Sequence, residues 1–324
     1  MLSNSQVFSL INAGNIVSGL LSDHYVRSSV ELERFTDRLL GVPILVVADP
    51  TLFDYRPDDV FEVSPKRIVR FVYDHDNVSY TNVTHAFPKF EFLANFSVKA
   101  KHQPFVESVV KNNQQSREFV HKIKANHGRV GAFQTRNIPH HGHERIMQRL
   151  LECCDHLVVN PVLGPKKSGD VTRECLVEVF ENYFVAKYKG RISFCPIIAN
   201  MFYAGPREAI HHSIIRKKLG FDIFTVGRDH AGAQNIYPAT AAIETIKSVV
   251  DDLGIDVMCH GGAGFCEICN EIVLVGDCAH GVESVKDISG TAFRKCLSNG
   301  EIFQMADKEM QKKIFKEDVR IFEE

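Results

Sequence analysis

"RVGAFQTRNIPHHGHERIMQRLLECCDHLVVNPV", Arg129 to Val162, decides the fold. It opens on a short apolar run, crosses a polar loop carrying three histidines, enters a stretch with apolar residues at helical spacing, and closes on a second apolar run. Short apolar runs bounded by turn residues are read as buried strands, and the longer periodic stretch between them as a helix. The spacing predicts strand over 129–135, helix over 143–154 and strand over 156–162. A strand, a helix and a strand in that order place the two strands side by side and parallel.

Downstream the same alternation continues. "VTRECLVEVFENYFVAKY" (171–188), "GPREAIHHSIIRKKLG" (205–220) and "PATAAIETIKSVVDDLG" (238–254) read as helices, while "ISFCPII" (192–198), "FDIFTVG" (221–227) and "IDVMCHG" (255–261) read as strands. The fold class is therefore α/β, a Rossmann-like parallel sheet flanked by helices. In such sheets ligands gather at the carboxyl ends of the strands. The loops "QTRNIPHHGH", "VLGPKKSGD", "ANMFYAGPRE" and "GRDHAGAQ" all follow predicted strands, so they can converge on one rim.

Upstream the pattern differs. "VPILVVAD" (42–49), "RIVRFVYD" (67–74) and "SVKA" (97–100) are short β-like runs separated by Asp, Pro and Asn, as in a small β-rich domain. The polar stretch Lys111 to Arg129 is read as a connector plus a helix. Expected boundaries are 1–125 for a β-rich domain, 126–260 for the catalytic sheet domain and 261–324 for a small C-terminal subdomain.

With 324 residues, 44% hydrophobic and 24% charged, the composition is that of an ordinary globular protein with room for two domains. The formal net charge of −2 argues against a general polyanion surface, so nucleic acid is not an expected partner and any anion site must be a local basic cluster. No apolar run approaches the ~20 residues of a membrane span. The start, "MLSNSQVFSLINAGNIVSGLL", lacks the basic head and apolar middle of a signal peptide, and a cytoplasmic location with reduced thiols is expected for the nine cysteines.

Gln134 and Arg136 alternate at the end of a predicted strand, and the helix is expected to begin near His141, so His140 and His143 fall at its first turn. Unpaired backbone N–H groups and the helix dipole favour an anion there. An isolated HxxH is equally compatible with a surface pair; the i, i+4 zinc pattern HExxH is absent. Arg207 falls at the first turn of the next helix, where a cation is disfavoured, so an anionic ligand or a carboxylate such as Glu208 is needed to explain it. In "TVGRDHAG", Gly227 ends a strand and Arg228, Asp229 and His230 follow in a turn, with the small Ala231 allowing a ligand close to the backbone.

"FQTRN..H..HE", "YAGPREA", "VGRDHAG" and "ISGTAFR" occur in this order from Gly131 to Arg294, and together they resemble the ATP sulfurylase (sulfate adenylyltransferase) family; "LINAGN" (10–15) is a weaker echo of its N-terminal motif. The resemblance implies a nucleotidyltransferase domain after a PUA-like β-rich domain, and attack of sulfate on the α-phosphorus of ATP, with Mg²⁺, giving adenosine 5′-phosphosulfate and pyrophosphate. It implies that His140 and His143 hold ATP phosphates, that Gln134, Thr135 and Arg136 bind sulfate with Ala231 supplying backbone, and that Asn137 and Arg228 contact the reacting phosphates. Gly227, His230 and Arg207 are the further nucleotide-binding candidates, and a homodimer or larger homo-oligomer is the family expectation. Sulfate has no proton to remove, so catalysis has to come from positioning and charge neutralisation. Two departures, Asn137-Ile138-Pro139 where the family has Pro directly after Asn, and Ala233-Gln234-Asn235 after the Gly-containing loop, keep two alternatives open. These are transfer to another oxoanion or small acceptor, and a nucleotide-binding homologue without turnover.

"FCEICNEIVLVGDCAH" places Cys266 and Cys269 as a CxxC, then Cys278 and His280, a ligand set suited to a structural Zn²⁺. Some bacterial members of the family are similar here. Four reduced buried side chains would be the plainer explanation. "GPKKSGD" is not a GxxxxGK[ST] phosphate loop and the tail from Phe303 is short, so no fused kinase and a single activity are expected, with an N-terminal domain trimmed relative to longer members.

Overall fold

The stretch "RIVRFVY" forms a helix and not a strand, because Ile68, Val69, Val72 and Tyr73 are all buried on one helical face at i, i+1, i+4 and i+5. The computed structural model describes residues 2–21, 41–42, 44–73, 91–93, 99–231, 236–317 and 319–323. Up to residue 127 these form α1 (Asn4–Val17), β1 (Phe53–Asp54), β2 (Val60–Glu62), α2 (Pro65–Tyr73), β3 (Glu91–Leu93), β4 (Lys99–Ala100) and α3 (Gln103–His127). The strands pair antiparallel as β1 with β4 and β2 with β3. Of "VPILVVAD" only Val47 makes a bridge, to Phe92, and of "SVKA" only Lys99–Ala100 is described as strand; residues 43, 74, 97 and 98 lie outside the described residues. The connector expected at 111–129 is absent, since α3 starts at Gln103 with Pro104 in its first turn, where a missing N–H costs nothing.

A buried amide ladder ties α1 to the rest of the molecule. Asn12 Nδ2 donates to Leu45 O at 2.8 Å, and its Oδ1 accepts from Asn200 Nδ2 at 2.7 Å; Asn200 also donates to Phe8 O. Asn113 on α3 donates to Asn15 Oδ1 at 2.8 Å. These bonds give the polar residues of "LINAGN" a structural reason.

The sheet comes next in the chain as β5 (Val130–Phe133), α4 (His141–Leu150), β6 (His156–Val159), α5 (Arg173–Val179), a π-helical turn (Phe180–Phe184), α6 (Val185–Lys187), β7 (Ile192–Phe194), α7 (Pro206–Leu219), β8 (Ile223–Gly227), α8 (Ala241–Lys247), α9 (Val250–Leu253) and β9 (Asp256–His260). All five strands are parallel, in the order β7-β6-β5-β8-β9. Alternate residues feed two cores, as the pleat dictates. Val130, Ala132, Val158, Phe224 and Val226 pack with α1, α3, α7 and α8, while Phe133, Leu157, Val159, Ile192 and Ile223 pack with α4 and α5. Burial on both faces explains why these strands read as continuous apolar runs. The chain leaves β5 first to one side and then, at β8, to the other, so the crevice between the carboxyl ends of β5 and β8 is the switch point where ligands bind.

Beyond the sheet come β10 (Ala263–Cys266), β11 (Glu271–Leu274), β12 (Val285–Asp287), α10 (Gly290–Ser298) and α11 (Lys308–Lys316), with the strands in the antiparallel order β11-β10-β12. The tail returns to the sheet domain: Phe322 bridges Val171, and Glu323 N donates to Asp170 O at 2.8 Å. Among the described residues no helix is long and apolar enough to cross a membrane.

Candidate active site

A cavity of about 340 Å³ opens at the carboxyl ends of β5, β8 and β9. Gln134, Thr135, Arg136, Asn137, His140, His143, Gly227, Arg228, His230 and Ala231 all line it. Arg207, expected at the same site, does not, and the Glu208 carboxylate beside it turns inward to accept the Phe202 and Ala204 N–H groups, both at 2.8 Å. Ala233, Gln234 and Asn235 lie outside the described residues.

The two motif histidines build the start of α4 themselves. His140 is the N-cap: its Nδ1 accepts the Gly142 N–H at 3.1 Å, while His143 Nδ1 accepts the His140 N–H at 3.3 Å, a capping box made of imidazoles. A Cβ at Gly142 would meet His140 Cε1 at 2.9 Å, so a larger residue there would displace the ring. Burial pushes His140 down to about 4 and His143 well below the usual histidine range, so both rings are neutral near pH 7. A neutral ring that accepts at Nδ1 carries its proton on Nε2, so each histidine offers one fixed N–H donor. Their ring centroids lie 4.0 Å apart.

His260, at the end of β9, repeats this arrangement: its Nδ1 accepts the Gly262 N–H at 3.2 Å, and burial holds it down at about 4. It lines the cleft beside Gly227, where a Cβ would stand 2.6 Å from the His260 ring. The sequence reading missed it, although a polar side chain at the carboxyl end of a strand followed by two glycines is a signal of the right kind.

Arg136 is anchored from below. Its Nη1 donates to Asp170 Oδ1 at 2.9 Å, and Tyr203 Oη donates to the other carboxylate oxygen at 2.6 Å. Asp170 is 2% exposed and Arg136 22%, so one edge of the guanidinium is fixed by a buried carboxylate and the remaining donors are available to an anion. Asn137 is set by a tight turn in which Thr135 Oγ1 accepts its N–H at 3.0 Å, and Asn137 Oδ1 accepts from Arg294 at 3.0 Å. Gln134 Oε1 is buried without a donor among the described residues, so a ligand or an amide flip has to satisfy it. Arg228 pairs at 2.7 Å with Asp287, an exposed contact that is cheap to exchange for a ligand. Asp229 and Ala231 have φ of 52° and 62°, left-handed values unusual for residues with a side chain, and Tyr203 has 53°. Strain of this kind collects where surrounding structure holds a site in shape.

Away from the cleft, Cys266, Cys269, Cys278 and His280 bring one ligand atom each within 4.8 Å of one another. Sulfur–sulfur distances of 3.4 and 3.7 Å and sulfur–nitrogen distances of 3.1 to 3.6 Å are close to the edges of a zinc tetrahedron, about 3.5–3.8 Å for the usual bond lengths. The Cys269 N–H donates to the Cys266 sulfur at 3.4 Å, a bond that favours the thiolate a metal needs. All nine cysteines are free thiols.

The ATP-sulfurylase family model matches residues 107–317. The sulfate adenylyltransferases of Ignicoccus hospitalis and Thermococcus onnurineus are each 42% identical, over 174 and 173 residues, covering 53% of this chain and 45% of theirs. That of Staphylothermus marinus is 33% identical over 248 residues, 76% of this chain and 64% of its own. The chain thus spans about half the length of the first two. Among solved structures, a chain titled hexameric APS kinase from Thiobacillus denitrificans superposes with a TM-score of 0.50 at 14% identity, covering 71% of this chain and 44% of that one, a likeness of fold alone. With the motif residues gathered in one cleft at the switch point and the family model spanning the parallel sheet and the C-terminal strands and helices, this chain belongs to the ATP-sulfurylase family.

Proposed function

We propose that the protein is an ATP:sulfate adenylyltransferase. The observation that carries this reading is the pair of neutral histidines at the N-terminus of α4, each with its Nδ1 tied to a backbone N–H, standing in the same cleft as an arginine anchored by a buried carboxylate. In this reading the free donors of Arg136, with Gln134, Thr135 and the backbone at Ala231, hold sulfate. His140, His143, Asn137, Arg228, His230 and Gly227 hold the nucleotide phosphates, and Arg207 is left as a supporting residue outside the cleft lining.

A sulfate oxygen attacks the α-phosphorus in line. The new S–O–P bond forms as the bond to the bridging oxygen of the β-phosphate breaks, and pyrophosphate leaves with that electron pair. No proton moves, so the residues act by fixing the two anions in line and by donating to oxygens on which charge grows. One such donor is worth about 3–4 kcal/mol. Bound with ATP, Mg²⁺ would supply neutralisation of the phosphate charge, and no side chain of this protein is assigned to hold it.

The Cys₃His set suits Zn²⁺, with Cys266, Cys269, Cys278 and His280 as its ligands in a structural role. The reading also includes a cytoplasmic location, suggested by nine free thiols, and assembly into a homo-oligomer, which light scattering reads directly. It keeps three units, 1–125, 126–260 and 261–324, supported by the change from small antiparallel pairs to a parallel sheet and then to an antiparallel one. A PUA-like first unit rests on the family resemblance alone.

The test is pyrophosphate release from Mg-ATP with and without sulfate, in wild type, Arg136→Ala and His143→Ala. Sulfate-dependent release lost in both variants is the expected result; a folded wild type that releases none overturns the proposal.

A further inference from the structure

Behind the cleft, α7 carries a buried charged cluster that the proposed mechanism leaves unused. Glu208, His211, His212 and Arg216 are all within 1% of complete burial. His230, from the loop after β8, lines the cleft on one side and on the other places its Nε2 2.9 Å from His212 Nδ1. His212 Nε2 in turn lies 3.4 Å from Glu208 Oε1, a charge contact without hydrogen-bond geometry, and has no hydrogen-bond partner among the described residues. A carboxylate facing Nε2 calls for a proton there, so neutral His212 accepts at Nδ1 and His230 donates to it from Nε2. That leaves His230 Nδ1 as the nitrogen bonded to no described residue.

We propose that Glu208 and His212 are positioning residues, which orient His230 and let it take up a proton at Nδ1 when a polyphosphate enters the cleft. The inference rests on the adenylyltransferase reading only for where the phosphates lie. Both Glu208 oxygens accept backbone N–H bonds, which favour the carboxylate and offset part of the burial that raises the group above the usual range. The groups facing His230 are His212, Glu208 and Arg216 from α7 and His260 from β9. Burial above all, then His212, holds the empty-site ring neutral, and a bound polyanion reverses the balance. The charge formed on His230 is then answered across His212 by Glu208, as an orienting carboxylate answers an imidazolium.

The experiment compares wild type with His212→Asn, which keeps an acceptor near His230 but cuts the tie to Glu208. Proton uptake on binding Mg-ATP, read by calorimetry in two buffers of different ionisation enthalpy, is expected in wild type and strongly reduced in the variant. The kcat of sulfate-dependent pyrophosphate release falls about tenfold to hundredfold, by analogy with other outer-layer partners of histidine, with its pH profile shifted and KM for ATP little changed. A variant that melts like wild type with unchanged uptake, kcat and pH profile overturns the proposal, as does a wild type that binds Mg-ATP without proton uptake. Should His212→Asn fail to fold, retention of uptake in His230→Asn overturns it equally. Uptake with no pyrophosphate release in wild type removes the adenylyltransferase reading and leaves the relay standing.

Discussion

Replacing Asp170 with Asn tests whether Arg136 owes its pose to the carboxylate beneath it. The carboxylate accepts from Arg136 at 2.9 Å and from Tyr203 Oη at 2.6 Å, one bond to each oxygen. Asparagine keeps the shape but has one acceptor oxygen, so one donor keeps its partner and the other meets an NH₂ group and loses its own. Removing one partner of a fully buried pair costs about 3–5 kcal/mol. Arg136 is 22% exposed and recovers part of that from water, which brings the expected loss of stability to about 2–3 kcal/mol. The freed guanidinium no longer waits in one rotamer, and about 1.4–2.7 kcal/mol of lost positioning corresponds to about 10- to 100-fold in kcat/KM for sulfate. Tyr203→Phe removes one neutral donor and leaves the ion pair, so its effect is smaller, about 1 kcal/mol. Initial rates of pyrophosphate release over a sulfate series, together with urea unfolding, read both quantities. A folded Asp170→Asn variant with wild-type kcat/KM for sulfate refutes the reasoning, because the carboxylate would then be irrelevant to the pose of Arg136.

His140→Asn keeps a good N-cap while removing the Nε2–H donor, so α4 and the melting temperature should survive while pyrophosphate release falls about 10²–10³-fold; retained activity counts against the phosphate role. Gly227→Ala puts a methyl group 2.6 Å from the His260 ring, and calorimetry should show weakened nucleotide binding with little change in far-ultraviolet circular dichroism. Colorimetric release should find one zinc per chain, and Cys269→Ser should lose the metal and melt at lower temperature; equal stability with and without metal argues against a structural ion. Burial raises the Asp307 carboxyl, but bonds from Lys187, Tyr183 and the Met310 N–H outweigh it and bring the group from 3.8 down to about 2. Its contribution to stability is therefore complete above about pH 4 and is lost as pH falls toward 2, and Asp307→Asn should flatten the acid limb of a melting-temperature profile across that window.

The parallel sheet was legible because its inner strands β5, β6 and β8 are buried on both faces and the intervening helices carry their own period and end signals, such as Gly220 in the left-handed region at the end of α7. "RIVRFVYD" was misread because β-branched and aromatic residues suit strands, and only tertiary burial of Ile68, Val69, Val72 and Tyr73 selects the helix. Of the cleft, the residues that end strands could be placed from sequence. Asp170 and Tyr203 could not, since they reach Arg136 across 34 and 67 positions with no local pattern to mark them. Arg207 stands out for a sound local reason, a cation at a helix start, and does not line the cleft.

The amide ladder that joins Asn12 to Asn200 spans 188 positions of chain. At about 5–20 residues per second, α1 leaves the ribosome roughly 10 to 40 seconds before the partner that completes its burial. Leu10 and Ile11, both buried in the finished protein, lack the packing of α3 for the first part of that interval and their full burial for all of it. Recombinant yield should therefore respond to chaperone supply and to growth temperature more than the stability of the folded protein alone suggests.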